Sequence, residues 1–161
     1  MTVKFTIDEI TNYLEDIFPQ VKGRYRILKL GKNSCEVQLL ANEGNLRPGN
    51  TISGPSMFEL ADIAFYVTVI ASKGAGTSAV TTNVSINFLR RPVLSNLIAI
   101  SKLKKLGRQL VVGDVEIISE NRTEVVAQSI FTYSVPPKMP IVQERFPPHQ
   151  SLTISFRYQL V

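Results

Sequence analysis

The chain has 161 residues, of which 44% are hydrophobic and 19% charged; this excludes a disordered chain and suits one domain with a real core. The net charge is +5 and the isoelectric point about 9.5, a balance that attracts polyanions. The cations fall in short groups, however, and the five Tyr and eight Phe sit mostly at apolar positions of periodic segments. No base-stacking platform, and so no nucleic-acid partner, is expected.

Residues 1–8 lack the apolar run of a secretory leader, so the expected location is the cytoplasm. Thr6-Ile7-Asp8-Glu9 fits a capping box, and Ile7, Ile10, Leu14 and Ile17 then recur at helical spacing up to Pro19. Two strands are expected at 25–30 and 35–40, joined by a Gly31-Lys32-Asn33 turn. Cys35, the one cysteine, lies in the second of them and reads as a small buried thiol; a Cys–His nucleophilic pair is the alternative. One cysteine allows no intrachain disulfide.

A polar loop over 42–51 leads to Ser53-Gly54-Pro55-Ser56. Ser56-Met57-Phe58-Glu59 reads as a second capping box, starting a helix that runs to about Lys73 and stops at Gly74. Apolar residues cover nearly every face of this helix, which predicts burial on all sides. Its apolar stretch, 57–71, is interrupted by Glu59 and Asp62; it is too short and too charged to span a bilayer, so no membrane partner is expected.

After Gly76 the period becomes that of strands: 78–89, 96–106, 109–119 and 123–133, separated by Arg91-Pro92, Gly107 and Glu120-Asn121-Arg122. Long strands with short links favour an antiparallel, meander-like sheet. The expected class is α+β: a hotdog fold, a long curved antiparallel sheet wrapped around one buried central helix, as a single domain over 1–161. The N-terminal helix occupies 1–20. The proline-rich extension 136–161, with a strand-like stretch at 152–160, has no assigned place. His149, the one histidine, lies in this tail, so a zinc site or a Ser-His-Asp triad has too few partners, and no metal is expected.

Asp62 is the unusual residue, a carboxylate among Leu60, Ala61, Ile63 and Ala64. Burial disfavours its charge, while the positive end of the helix favours it. Such a carboxylate serves as general base or nucleophile; the bland alternative is a buried Asp bonded to backbone or an Arg. Glu59, three residues earlier, is the rival, with the N3 capping role as its ordinary reading. Gly54 allows close approach of a substrate. Because Pro55 cannot donate, the Gly54 and Ser56 amides are the candidate oxyanion donors.

Ser53 to Asp62 resembles the motif of PaaI-like thioesterases, a His-Gly-Gly start followed, four residues on, by Leu-Ala-Asp. The segment 80–92, ending Asn87-Phe88-Leu89-Arg90-Arg91-Pro92, is similar to the family's strand after the helix. Lys105-Leu106-Gly107-Arg108 resembles its Lys-x-Gly-Arg turn, and Val126-Ala127 and Thr132-Tyr133 match its last strand. The resemblance implies hydrolysis of acyl-CoA thioesters. It carries the activating aspartate onto Asp62, the oxyanion amide onto Gly54 and an assisting hydroxyl onto Thr81. It implies a site shared across a homodimer, often paired into a homotetramer, and no cofactor beyond the coenzyme A of the substrate. The chain departs from the motif at Ser53, at Pro55, and at Arg47, near where the family often has asparagine.

Under this reading Arg90, Arg91, Lys105 and Arg108 are candidates for the coenzyme A phosphates, with solvated turn charges as the alternative. Phe58, Phe65 and Tyr66 are candidates for an acyl slot, with core packing as the alternative. A non-catalytic acyl-CoA-binding or assembly protein on the same fold is the second reading. Nucleic-acid binding has only the isoelectric point behind it. A dehydratase of this fold wants a histidine that the chain lacks before His149.

Overall fold

In the computed structural model, residues 5–136 are described; the strand-like stretch 152–160 and His149 lie outside them. Helix α1 spans Ile7–Ile17 and has the expected box: the Glu9 amide donates to Thr6 Oγ1, and the Thr6 amide donates to the Glu9 carboxylate at 2.8 Å. Its inner stripe, Ile10 and Leu14, packs beside strand β1 (Tyr25–Gly31). Asn33, in the left-handed region at φ 60°, turns the chain into β2 (Ser34–Leu39). A two-residue ribbon follows, β3 (Leu46–Arg47) with β4 (Thr51–Ile52).

Helix α2 then runs Gly54–Lys73, stopped by Gly74 at φ 115°. Its start differs from the expected one. Ser53, in extended conformation, is the cap, and its Oγ accepts the Ser56 amide at 3.3 Å. Pro55 fits the first turn because no amide is needed there. Asn45 fixes this choice: its carbonyl accepts the Ser53 amide at 2.8 Å, and its Nδ2 donates to Ser56 Oγ at 3.1 Å. Glu59 therefore caps nothing.

Strands β5 (Val80–Phe88), β6 (Leu97–Leu106), β7 (Leu110–Ser119) and β8 (Val125–Ser134) complete a six-stranded antiparallel sheet in the order β1-β2-β6-β7-β8-β5. The hotdog fold is as expected, but only β6-β7-β8 form a meander. Strand β5 lies at the far edge beside β8. The reason is link length. β6–β7 and β7–β8 are joined by short turns, whereas eight residues separate β5 from β6. Extended, they reach about 28 Å, and three strand spacings need only about 14 Å.

Helix α2 packs against β1, β2, β6, β7 and β8. By length and composition α2 would qualify as a bilayer-crossing helix, contrary to the sequence reading, but 67% of that span is buried inside the protein. Burial is not complete around the helix either. Twelve of its 20 residues are buried, while Phe58, Glu59, Asp62 and Tyr66 form a half-open stripe at helical spacing. That open stripe carries the carboxylate.

The closed side is tightly packed. Phe65 stacks on Phe131 at 5.3 Å and meets Tyr133 edge-on at 4.7 Å; burying each such side chain contributes about 1.5–3 kcal/mol. Cys35 is the buried thiol that its strand context suggested. It donates to the Ala64 carbonyl and accepts from Thr68 Oγ1, and burial pushes its pKa up to about 12. A raised folded-state pKa means that the neutral thiol's contribution is complete below pH 9 and lost progressively from there to about 12. Wild-type stability should therefore fall above pH 9 with a component of about 1.4 kcal/mol per pH unit that Cys35→Ala lacks. Unfolding midpoints from pH 8 to 11 test this; parallel curves for the two proteins would contradict it.

Candidate active site

Asp62 is the ninth residue of α2 and half-buried. The helix dipole acts over about one turn, so the positive end of its own helix does not hold it, contrary to the sequence expectation. Two hydroxyls do. Thr81 Oγ1 donates to Asp62 Oδ1 at 3.0 Å, and the Tyr133 hydroxyl donates its one proton to the same oxygen at 2.6 Å, with the Asp62 carbonyl as a weaker, shared acceptor at 3.1 Å. Among the described residues no cation lies within ion-pair distance of Asp62, so the bland Asp–Arg alternative does not apply.

Strand pairing brings the two hydroxyls together. Thr81 and Tyr133 are direct partners in the β5–β8 ladder. The half-buried residues of β5 are Thr81, Val84 and Ile86. Strict alternation from Val84 would turn Thr82 inward, but the register shifts between Thr81 and Asn83. A bulge of this kind re-aims side chains, and here it points Thr81 at the helix. Tyr133 is 2% exposed. Burial, and after it the negative charge of Asp62, raise its pKa, so the phenol keeps its proton.

Glu59 is occupied. Arg24 grips it with two bonds, 2.8 and 2.7 Å, from Nη1 and Nη2 to its two oxygens. A carboxylate with both oxygens committed to a guanidinium is a poor base. Of the aromatics, Phe65 is fully buried and belongs to the core, whereas Phe58 and Tyr66, four residues either side of Asp62, flank it on the open stripe.

Gly54 is the first residue of α2. Its amide has no acceptor among the described residues, whereas the Ser56 amide is taken by Ser53; of the two expected donors, one remains. Gly54 lines an open cavity of about 300 Å³ with Arg47, Phe88, Arg90 and Arg91. A Cβ at position 54 would lie 3.3 Å from the exposed Phe88 ring, which would have to move by a few tenths of an ångström. Arg90 is partly tied, to the Val125 carbonyl and to Glu124 at 3.8 Å.

Lys105 and Arg108 do not join this group. The Arg108 carbonyl accepts from Lys73 Nζ at 3.1 Å, at the opposite end of α2, about 30 Å along the helix from Gly54. Gly54 and Asp62 are themselves eight residues apart, about 12 Å along the axis. Sequence reasoning gave Tyr133 and Arg47 no role. The signal for Tyr133 was its hydroxyl at an inward strand position, because a buried tyrosine needs a partner. The signal for Arg47 was its departure from the family motif.

A curved antiparallel sheet around one helix, with a hydroxyl-held carboxylate on the helix's open face, defines a hotdog protein of thioesterase type. The chain belongs to the thioesterase superfamily: the sequence profile of that family matches residues 49–126. It is 45% identical to a proposed thioesterase from Silicibacter sp. TM1040, covering 85% of this chain and 96% of that one, with a TM-score of 0.79. The fold is also that of the PaaI protein from E. coli (20% identity, 84% and 97% covered, TM-score 0.74). Zebra fish thioesterase superfamily member 2 is similar in the same way (16%, 83% and 100%, TM-score 0.73). No curated protein matches the chain in sequence.

Proposed function

We propose that the protein hydrolyses acyl-CoA thioesters to a carboxylic acid and free coenzyme A. The observation that carries this reading is the Asp62 carboxylate, held by Thr81 and Tyr133 with no neutralising cation among the described residues, on the open face of α2 between Phe58 and Tyr66. Asp62 activates water or attacks the carbonyl. The Gly54 amide polarises that carbonyl.

The active unit is a homodimer. A reacting carbonyl must lie about 3 Å from both the base side and the oxyanion donor, yet within one chain these groups are about 12 Å apart along the helix axis. Gly54 of one copy therefore works with Asp62 of another. The β5 edge supports this assembly: among the described residues it pairs with no further strand, and Val80 and Phe88 on it are at least half exposed. Such an edge recruits a partner strand. Arg90 and Arg91, with Arg47 beside them, serve the coenzyme A phosphates, whereas Arg108, with the nearby Lys105, lies at the far end of the helix.

Thiol release from a panel of short, long and aryl acyl-CoAs tests the activity. Tight binding without turnover would replace this reading with that of a carrier. Mixed dimers test the shared site. Asp62→Asn removes the carboxylate, and Gly54→Pro removes the amide in a first helical turn whose backbone accepts proline, with the exposed Phe88 ring moving aside. Each variant alone should be inactive. Mixed at equal amounts after dissociation, they should recover about a quarter of wild-type activity, because half of the dimers are mixed and each has one intact site. No recovery on mixing would refute the shared site.

A further inference from the structure

Both hydroxyls that hold Asp62 bond the same oxygen. Oδ1 accepts from Thr81 at 3.0 Å and from Tyr133 at 2.6 Å, whereas no donor among the described residues reaches Oδ2. The terminal torsion of an aspartate is broad and two-fold, so a carboxylate with one donor can swing or exchange its oxygens. Two donors on one oxygen, arriving from paired positions of neighbouring strands, remove that freedom. We propose that Tyr133 is a positioning residue which, with Thr81, locks Asp62 in one orientation and leaves Oδ2 as the oxygen that meets the substrate. This rests on the thioesterase reading and extends it, since the family resemblance supplied only the hydroxyl at position 81.

Tyr133 is built for the task. Its ring is wedged edge-on between Phe65 at 4.7 Å and Phe131 at 6.2 Å, so it does not turn away. The 2.6 Å bond lies in the short range of hydroxyl-to-carboxylate bonds. A second contact, to the Asp62 carbonyl at 3.1 Å, ties the hydroxyl to the helix backbone as well as to the side chain. With Asp62 as base, Oδ2 takes a proton from water and the water oxygen bonds the carbonyl carbon. The C–S bond then breaks, and the thiolate recovers the proton from Oδ2. Oδ1 keeps both hydrogen bonds throughout.

The test is Tyr133→Phe, which deletes one oxygen and keeps the ring. The expected result is a kcat lowered about 10- to 100-fold, the scale set by small misplacement of a catalytic group, with KM within about twofold. Thr81→Val, on the exposed edge strand, should shift kcat in the same sense. The double variant should lose less than the product of the two, because both hydroxyls hold one oxygen. Val37→Ala, a core truncation on β2, three strands from β8 and Tyr133, is the stability control and should keep kcat. Wild-type kcat in Tyr133→Phe, or a change in KM alone, would overturn the proposal while an inactive Asp62→Asn left the thioesterase reading standing. No turnover by the wild-type protein on any acyl-CoA would overturn both.

Discussion

Asp62→Asn is expected to lower kcat for thioester hydrolysis by about 10²- to 10⁴-fold, the usual contribution of a positioned base, in a protein that still folds. The amide keeps the shape of the carboxylate. Its oxygen can still accept from Thr81 and Tyr133, and its NH2 replaces the oxygen that no donor among the described residues reaches. What is lost is the capacity to take a proton or to attack. The measurement is thiol release beside a thermal unfolding curve, with the midpoint staying close to that of wild type. Substantial activity in this variant would remove Asp62 from the chemistry. It would not pass the role to Glu59 by default, because Arg24 holds both Glu59 oxygens.

Gly113→Ala should be the most damaging small substitution in the sheet. A Cβ there would collide with the Phe65 ring and lie 2.5 Å from the Lys102 carbonyl oxygen and 3.3 Å from Leu103 Cα. Two of these three neighbours are backbone of β6, next to the register shift between Leu103 and Lys105, so no change of rotamer relieves the clash. Overpacking typically costs 1–3 kcal/mol, and a backbone collision belongs at the upper end, about 3 kcal/mol. For a chain of this size that corresponds to a midpoint lowered by about 6–12 °C. Activity should fall with it, because Phe65 supports Tyr133, and Tyr133 holds Asp62. An unchanged midpoint would show that β6 and β7 can separate there without cost.

The ends of α1 and the stop of α2 were legible because capping boxes and a C-terminal glycine are local chemistry. The start of α2 was not. Ser53 and Ser56 are both plausible caps at matched spacing, and the decision falls to Asn45, a loop residue that bonds the backbone of one and the side chain of the other. The half-open stripe of α2 was hidden for a related reason. Its apolar composition suggested burial on every side, but which face the sheet leaves uncovered depends on strand order, and strand order depends on where a long link crosses.

The sequence by itself determined the class: one long apolar helix, four long β-branched strands after it, and a carboxylate at a position where carboxylates are costly. Those are properties of periodicity and local propensity, together with a motif in fixed order. The tertiary structure alone decided how these residues are arranged. Only the β5–β8 register, with its bulge at Thr82, sets Thr81 beside Tyr133 and both on one oxygen of Asp62. Only the rise of the helix shows that Gly54 and Asp62 of one chain stand about 12 Å apart along its axis. Contacts between residues many positions apart are set by pairing and packing in three dimensions, and no local pattern in the chain encodes them.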